Sequence, residues 1–353
     1  MTAFADVPEQ VEAKRLLEAS LADGQAHAFL FHGPRGVGKR TAARAFAGVL
    51  LGDPRRVDVG THPDLRVIEA LGEMIRIDEI RALHHDLHMR PFEADRRVYL
   101  VLDAHLLNDE AAAALLKDLE EPPDYATLVL VADELGPLPD TIRSRCQLIP
   151  FRRLSRAAVE GWVGERAPEL DGAEAALVAR VAGGRLDRAA RLLDPEARER
   201  RDELLRVARE AYLEPEFDAA RAAAVVSASA QARGVEARTH ELELVDGLDL
   251  PAREAEQRVK RVEFGAEREE LLASLEDLGA WYRDLLVISA GADTPVFHAD
   301  RLAELREDAP GREAGAEDAA AVVRQAWREA EEFNLNASLL LEALFVRVHR
   351  AFA

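Results

Sequence analysis

The sequence predicts an α/β domain, a parallel sheet with helices on both faces, followed by a small helical bundle and an all-helical remainder. Three observations predict it. Short, almost wholly apolar runs at His27–His32, Arg97–Leu102 and Thr127–Val131 read as buried parallel strands. Helical patterns separate them, and alternation at that spacing makes a parallel sheet. After about Leu154 the strand signal fades and apolar residues recur at helical spacing.

Taken in order, Val7 to Leu21 reads as a helix with Val11, Leu16, Leu17 and Leu21 on one face, ended by Gly24. The strand His27–His32 runs into a glycine turn, Gly33 to Gly38, and then a helix from Lys39 to Leu51. Leu65–Ile68 is a strand candidate, Ile77–Leu87 a helix, and Arg97–Leu102 a strand. Asn108 caps a helix that runs to Leu119 and stops before Pro122-Pro123. Thr127–Val131 and Gln147–Phe151 complete the strands. Ser155 to Leu193 reads as a helical bundle broken at Gly183-Gly184. Leu271, Leu275, Leu278, Tyr282 and Leu285 form a stripe at helical spacing. The pattern is weakest from Arg233 to Leu250, which reads as a loop or connection, and prolines break Ala292 to Gly315. Leu339 to Val348 is a last apolar helix, with Asn336 or Ser338 as its cap.

The bulk numbers narrow the function. At 353 residues and 48% hydrophobic the chain can build two or three cores. A net charge of −20 argues against a protein that grips DNA alone, since phosphate neutralisation dominates such affinity. Cys146 is the sole cysteine, so an internal disulfide and a four-cysteine zinc site are both excluded. Met1 to Ala5 lacks a basic stretch followed by a long apolar run, and no segment has the roughly 18 apolar residues of a membrane span. A cytoplasmic protein without membrane contact is therefore expected.

Gly33-Pro34-Arg35-Gly36-Val37-Gly38-Lys39 matches GxxxxGK, in the required context of strand before and helix after. Glycines let backbone N–H groups wrap phosphate oxygens, the helix start adds partial positive charge, and Lys39 reaches the β and γ phosphates. The next residue should be Ser or Thr, to ligate Mg²⁺. Here it is Arg40, which has no lone pair to offer. Thr41 carries a hydroxyl but lies about 100° round the helix. The strand at Val98–Leu102 should end in two carboxylates, one for the metal and one for water. Only Asp103 is there, and whichever role it takes, the other has no residue. ATP binding through Gly33, Pro34, Gly36, Val37, Gly38, Lys39, Arg40 and Thr41 stays possible; efficient hydrolysis is not expected, and no metal site is assigned.

Further motifs carry a resemblance. Leu115-Leu116-Lys117-Asp118-Leu119-Glu120-Glu121-Pro122-Pro123 resembles the LLKxLEEPP signature of bacterial clamp-loader subunits. Ser144-Arg145-Cys146 resembles their SRC motif, and Gly60-Thr61-His62-Pro63-Asp64 their GxHPD turn. Trp281 to Leu286, and Asn334-Leu335-Asn336 before Leu339–Leu344, look like the delta-prime branch of the family; Gln257 to Leu275 is similar to its actinobacterial version.

The resemblance implies an AAA+ P-loop core at 1–153, a helical lid at 154–198 and a helical collar at 199–353. It also implies that Arg145 is an arginine finger reaching a neighbour's ATP site, with Ser144 and Cys146 shaping its loop. The partners it implies are gamma/tau and delta clamp-loader subunits, the sliding clamp, and primer–template DNA through the complex. Departures matter. No cysteines precede the GxHPD turn, so zinc is not expected. The sensor-2 arginine falls at Asp187, beside Arg188, and a sensor-1 polar residue at Asp133; both assignments stay open. Two rivals remain: an ATP-hydrolysing gamma/tau-type subunit, which needs Thr at position 40, and an unrelated P-loop enzyme, which leaves the SRC-type loop unexplained.

Overall fold

A computed structural model describes residues 3–24, 26–69, 74–247, 252–332 and 336–353. The contacts divide the chain into two compact units, one ending at Ala189 and the other beginning at Ala190.

In the first unit the elements follow as α1 (Val11–Asp23), β1 (Ala28–His32), α2 (Lys39–Leu51), α3 (Pro54–Asp58), β2 (Leu65–Ile68), α4 (Ile77–Leu87) and β3 (Arg97–Val101). Then come α5 (Asp109–Glu120), β4 (Ala126–Ala132), α6 (Asp140–Arg143), β5 (Gln147–Pro150), α7 (Arg156–Arg166), α8 (Gly172–Ala182) and the start of α9 (Leu186–Leu193). The five strands form one parallel sheet in the order β2-β3-β4-β1-β5. Successive side chains on a strand face opposite ways, so a sheet covered on both faces needs apolar residues at every position. Tyr99, Val101, Leu128 and Leu30 pack on one side with Ile80, Leu83 and Leu87 of α4 and Leu115 of α5. Val98, Leu100, Val129, Phe29 and Phe31 pack on the other with Leu17 of α1 and Ala43, Phe46 and Ala47 of α2.

Local chemistry sets several boundaries. Asn108 accepts from the Ala111 N–H at 2.8 Å, as a cap should. The first helix begins later than the pattern predicts. Glu9 and Gln10 adopt left-handed φ of 53° and 46°, so helix starts only at Val11, whose side chain is 77% exposed rather than on the buried face.

The second unit contains α10 (Pro195–Leu213), α11 (Ala219–Asp246), α12 (Ala252–Ser289), α13 (Leu302–Asp308), α14 (Glu313–Glu332) and α15 (Ala337–Phe352). The α12 stripe at Leu275, Leu278, Tyr282 and Leu285 is buried against Leu341, Leu344 and Phe345 of α15 and Ala319 and Val323 of α14. The segment from Arg233 to Leu250, predicted as a loop or connection, is helical to Asp246, and 248–250 lie outside the described residues. Its weak apolar pattern is offset by packing on α12: Gly234 lies close to the Glu263 carbonyl, and the buried Glu241 carboxylate accepts from Arg258. Asn336 caps α15, accepting from the Leu339 N–H at 3.2 Å; Asn334 and Leu335 lie outside the described residues. Among the described residues no helix is long and apolar enough to cross a membrane.

Candidate functional site

In a parallel sheet the loops leaving the strands gather at one edge, where ligands of such sheets bind. There β1 delivers the glycine turn, β2 delivers Glu69, β3 delivers Asp103 and β4 delivers Asp133. Gly33 sits at φ 136°, and a Cβ there would come within 2.1 Å of the Phe151 carbonyl oxygen, so only glycine fits. Gly36 and Gly38 also have positive φ, and Val37 between them is fully buried. No side chain caps α2, which leaves its first N–H groups facing the turn. Thr41, one residue past Arg40, is exposed.

Lys39 is only 4% exposed. Its Nζ donates to the carbonyls of Gly33 and Pro34, both at 2.6 Å, and lies 2.7 Å from Asp133 Oδ1. Burial pulls the Lys39 ammonium below its ordinary value, with Asp133 opposing that pull. On the turn, the Leu186 N–H donates to the Gly36 carbonyl at 2.7 Å. The Asp187 carboxylate lies so close that a Cβ on Gly36 would meet its Oδ1 at 1.8 Å. Arg185 grips Asp187 through two bonds of 3.0 and 2.6 Å, and Arg35 approaches at 3.8 Å. Burial pushes the Asp187 carboxyl up, but these arginines outweigh it and hold it below the usual range. A carboxylate, that of Asp187, is thus laid on the phosphate turn.

Arg40 donates through one nitrogen to Glu69 Oε1 at 2.8 Å and through another to Asp103 Oδ2 at 2.5 Å. Asp103 holds a left-handed φ of 54°. Asp103, His105 and Asp133 each bring one potential ligand atom within 4.8 Å of the others. The Asp133 N–H donates to His105 Nδ1 at 3.3 Å, so the neutral ring carries its proton on Nε2. Burial lowers the His105 pKa, which favours that neutral ring. Asp103 and Asp133 already hold Arg40 and Lys39. The glycine turn and uncapped helix suit a phosphate; the donor set does not suit a magnesium ion.

The SRC-type residues lie at the other edge of the sheet. Arg145 precedes β5, which begins at Gln147 opposite Phe29, whereas the glycine turn follows His32 at the far end of β1. A five-residue strand separates the two by about 16 Å. The Arg145 side chain is 33% exposed, donating to Glu120 Oε1 at 2.5 Å and to the Thr141 carbonyl at 2.9 Å. Ser144 Oγ donates to the same carbonyl at 3.1 Å, and Arg143 pairs with Asp140 at 2.7 Å. Cys146 is buried in the core, and burial pushes its thiol up to about 12, so it packs rather than reacts.

The GxHPD turn proves to be architecture. Asp64, 1% exposed, accepts from the N–H groups of Phe92, Glu93 and Ala94 at 2.7–2.9 Å, tying the approach to β2 to that of β3. Sequence reasoning gave no role to three residues. Gln10 donates to the Val37 and Arg152 carbonyls, bracing the turn from the N-terminal side. Glu69 and Glu120 are the carboxylates that hold Arg40 and Arg145. Gln10 and Glu69 carry no local signal and Glu120 only its place in the LLKxLEEPP-like stretch, because each is brought to its partner by the sheet's topology.

Residues 9–155 match the family model described as DNA polymerase III, delta subunit. The chain is 33% identical over 209 residues to DNA polymerase III subunit tau of Bacillus subtilis (strain 168), which covers 54% of this chain and 37% of the relative. It is 34% identical over 164 residues to subunit delta' of the same organism, covering 43% of this chain and 50% of the relative. The chain therefore spans half or less of the length of these relatives. A solved gamma-subunit-related protein of DNA polymerase III from Thermotoga maritima is 18% identical, with a TM-score of 0.41, over 97% of this chain and all of that one. Through residues 9–155, the stretch that holds the glycine turn, the parallel sheet and the motifs at both edges, the chain is similar to subunits of DNA polymerase III.

Proposed function

We propose that the chain is a delta-prime-like subunit of a cytoplasmic DNA clamp loader, and that it completes a neighbour's ATP site with Arg145 instead of hydrolysing ATP itself. The observation that carries this reading is the opposition of the two edges. Arg145 lies off the end of the strands away from the chain's own phosphate turn, held by a half-exposed carboxylate and one carbonyl. A planar guanidinium presented there suits the charge developing on a γ-phosphate in an adjoining subunit. At the near edge, Lys39, Arg40 and Asp187 are engaged with one another's surroundings and not arranged around a metal.

In this reading residues 154–198 act as a lid and 199–353 as a collar that joins gamma/tau and delta subunits. Contact with the sliding clamp and primer–template DNA comes through the assembled complex, in keeping with a net charge of −20. The gamma/tau-type reading draws on the match to a tau subunit over 209 residues. Arg40 and the solitary Asp103 weigh against it.

The test is a loader reconstituted with a gamma-type partner and either wild-type chain or Arg145→Ala. Turnover at the completed site should fall by on the order of 10³. Unchanged turnover in a complex of normal composition would refute the arginine-finger role.

A further inference from the structure

We infer that Arg40 is a built-in cation occupying the metal's place in this chain's own phosphate loop, so that the site is closed by a guanidinium and is indifferent to magnesium. This inference is independent of what Arg145 does for a neighbour.

Ile68 of β2 pairs with Val101 of β3, and the Leu102 N–H extends the ladder to the Ile68 carbonyl at 2.8 Å. Glu69 and Asp103 therefore emerge side by side from adjacent strand ends. Two carboxylates so placed repel unless a cation lies between them. In metal-dependent phosphate loops a divalent ion meets this need, ligated by the hydroxyl of the residue after the lysine. Here that residue is Arg40, and its planar fork spans the two carboxylates with separate nitrogens, at 2.8 and 2.5 Å. A guanidinium offers no lone pair to an ion. It therefore does not merely lack the hydroxyl's function; it takes the acceptor oxygen and the charge-balancing role together.

The neighbouring groups agree. Lys39 is committed to Asp133 and two loop carbonyls, so Asp133 is not waiting for a metal either. His105 Nδ1 accepts from a backbone N–H, which fixes the proton on Nε2 and removes that nitrogen as a ligand in the neutral ring. Asp103 keeps its sparsely populated left-handed backbone, with its carbonyl accepting from the Leu106 N–H at 2.8 Å, so its carboxylate is aimed at Arg40 by fixed structure.

The experiment compares the full-length chain with Arg40→Thr and Arg40→Lys, melted in EDTA and in 10 mM MgCl₂, on the order used to populate weak carboxylate sites, with NaCl matching the ionic strength. The wild type should melt at the same temperature in both buffers. Arg40→Thr, which exchanges the guanidinium for a hydroxyl beside the same two carboxylates, should melt lower by roughly 2 °C or more in EDTA and recover in magnesium but not in matched NaCl. Arg40→Lys keeps a cation and should remain indifferent to magnesium. A wild type stabilised by magnesium overturns the inference, as does Arg40→Thr equal to wild type in EDTA or unmoved by magnesium. If Arg40→Thr folds in neither buffer, Arg40→Lys decides: equal melting in both supports the built-in cation, and a magnesium-dependent rise contradicts it.

Discussion

At the edge of the sheet that carries the phosphate turn, Lys39 is held by three acceptors and Arg40, 43% exposed, by two carboxylates; at the opposite edge, Arg145 leans on one carboxylate and one carbonyl. Lys39 has three partners and is 4% exposed, while the Arg145–Glu120 pair is 33% and 50% exposed. The number and burial of these partners set how firmly each group is held. Buried, multiply satisfied charges are costly to disturb, because losing one partner strands the other in a low-dielectric setting. An exposed pair contributes little and is released at little cost. Lys39 is fixed in place, and Arg145 is a poised group.

The largest effect is expected at Gly33. Gly33→Ala pushes a methyl group into the Phe151 carbonyl at a φ of 136°, and should destabilise the first unit by about 3 kcal/mol. A thermal melt should then shift down by roughly 6 °C or more. A shift below about 1 °C would mean that the turn is not locked as described.

Acid should weaken both edges next. Asp64 is pushed up by burial but pulled further down by three backbone N–H groups and Arg97, and Asp187 by Arg185 and Arg35. Both therefore lie below the ordinary aspartate value of about 3.9. Their stabilisation is complete above that unfolded value and is lost as pH falls through the lower folded values. Asp64→Asn should lower stability at neutral pH and flatten the acid limb of a stability–pH curve. An unchanged limb would remove Asp64 from the account.

How much of this was readable beforehand follows from which forces are local. The bounds of α2, β2 and α4 and the Asn108 cap follow from periodicity and capping within a dozen residues. The start of α1 does not, because Gln10 is held by the Arg152 backbone, 142 residues away. Nor does α11 beyond Arg233, whose helix depends on α12 for packing and for the partner of Glu241. At the site, Lys39, Arg40 and Asp103 are visible as motif positions and as a departure from the motif. That Arg40 bridges Glu69 and Asp103, and that Asp187 covers Gly36, depends on which strands are neighbours and where α9 begins.

The smallest effect should come from Glu120. Glu120→Gln removes the carboxylate that holds Arg145 without touching the core, so stability should change by less than about 1 kcal/mol. In an assembled loader the partner's turnover should hold or rise, by at most roughly fivefold, the rate equivalent of that energy. A fall in turnover comparable to that of Arg145→Ala would make Glu120 part of the finger's working geometry and not its resting place.

The most direct measurement is steady-state ATP hydrolysis by the purified chain alone in magnesium buffer, set beside Lys39→Ala. A phosphate loop whose lysine and metal position are filled from within should give no turnover above that variant. Hydrolysis by the wild-type chain that Lys39→Ala abolishes would show a working catalytic site at the edge described here as closed, and would contradict the account.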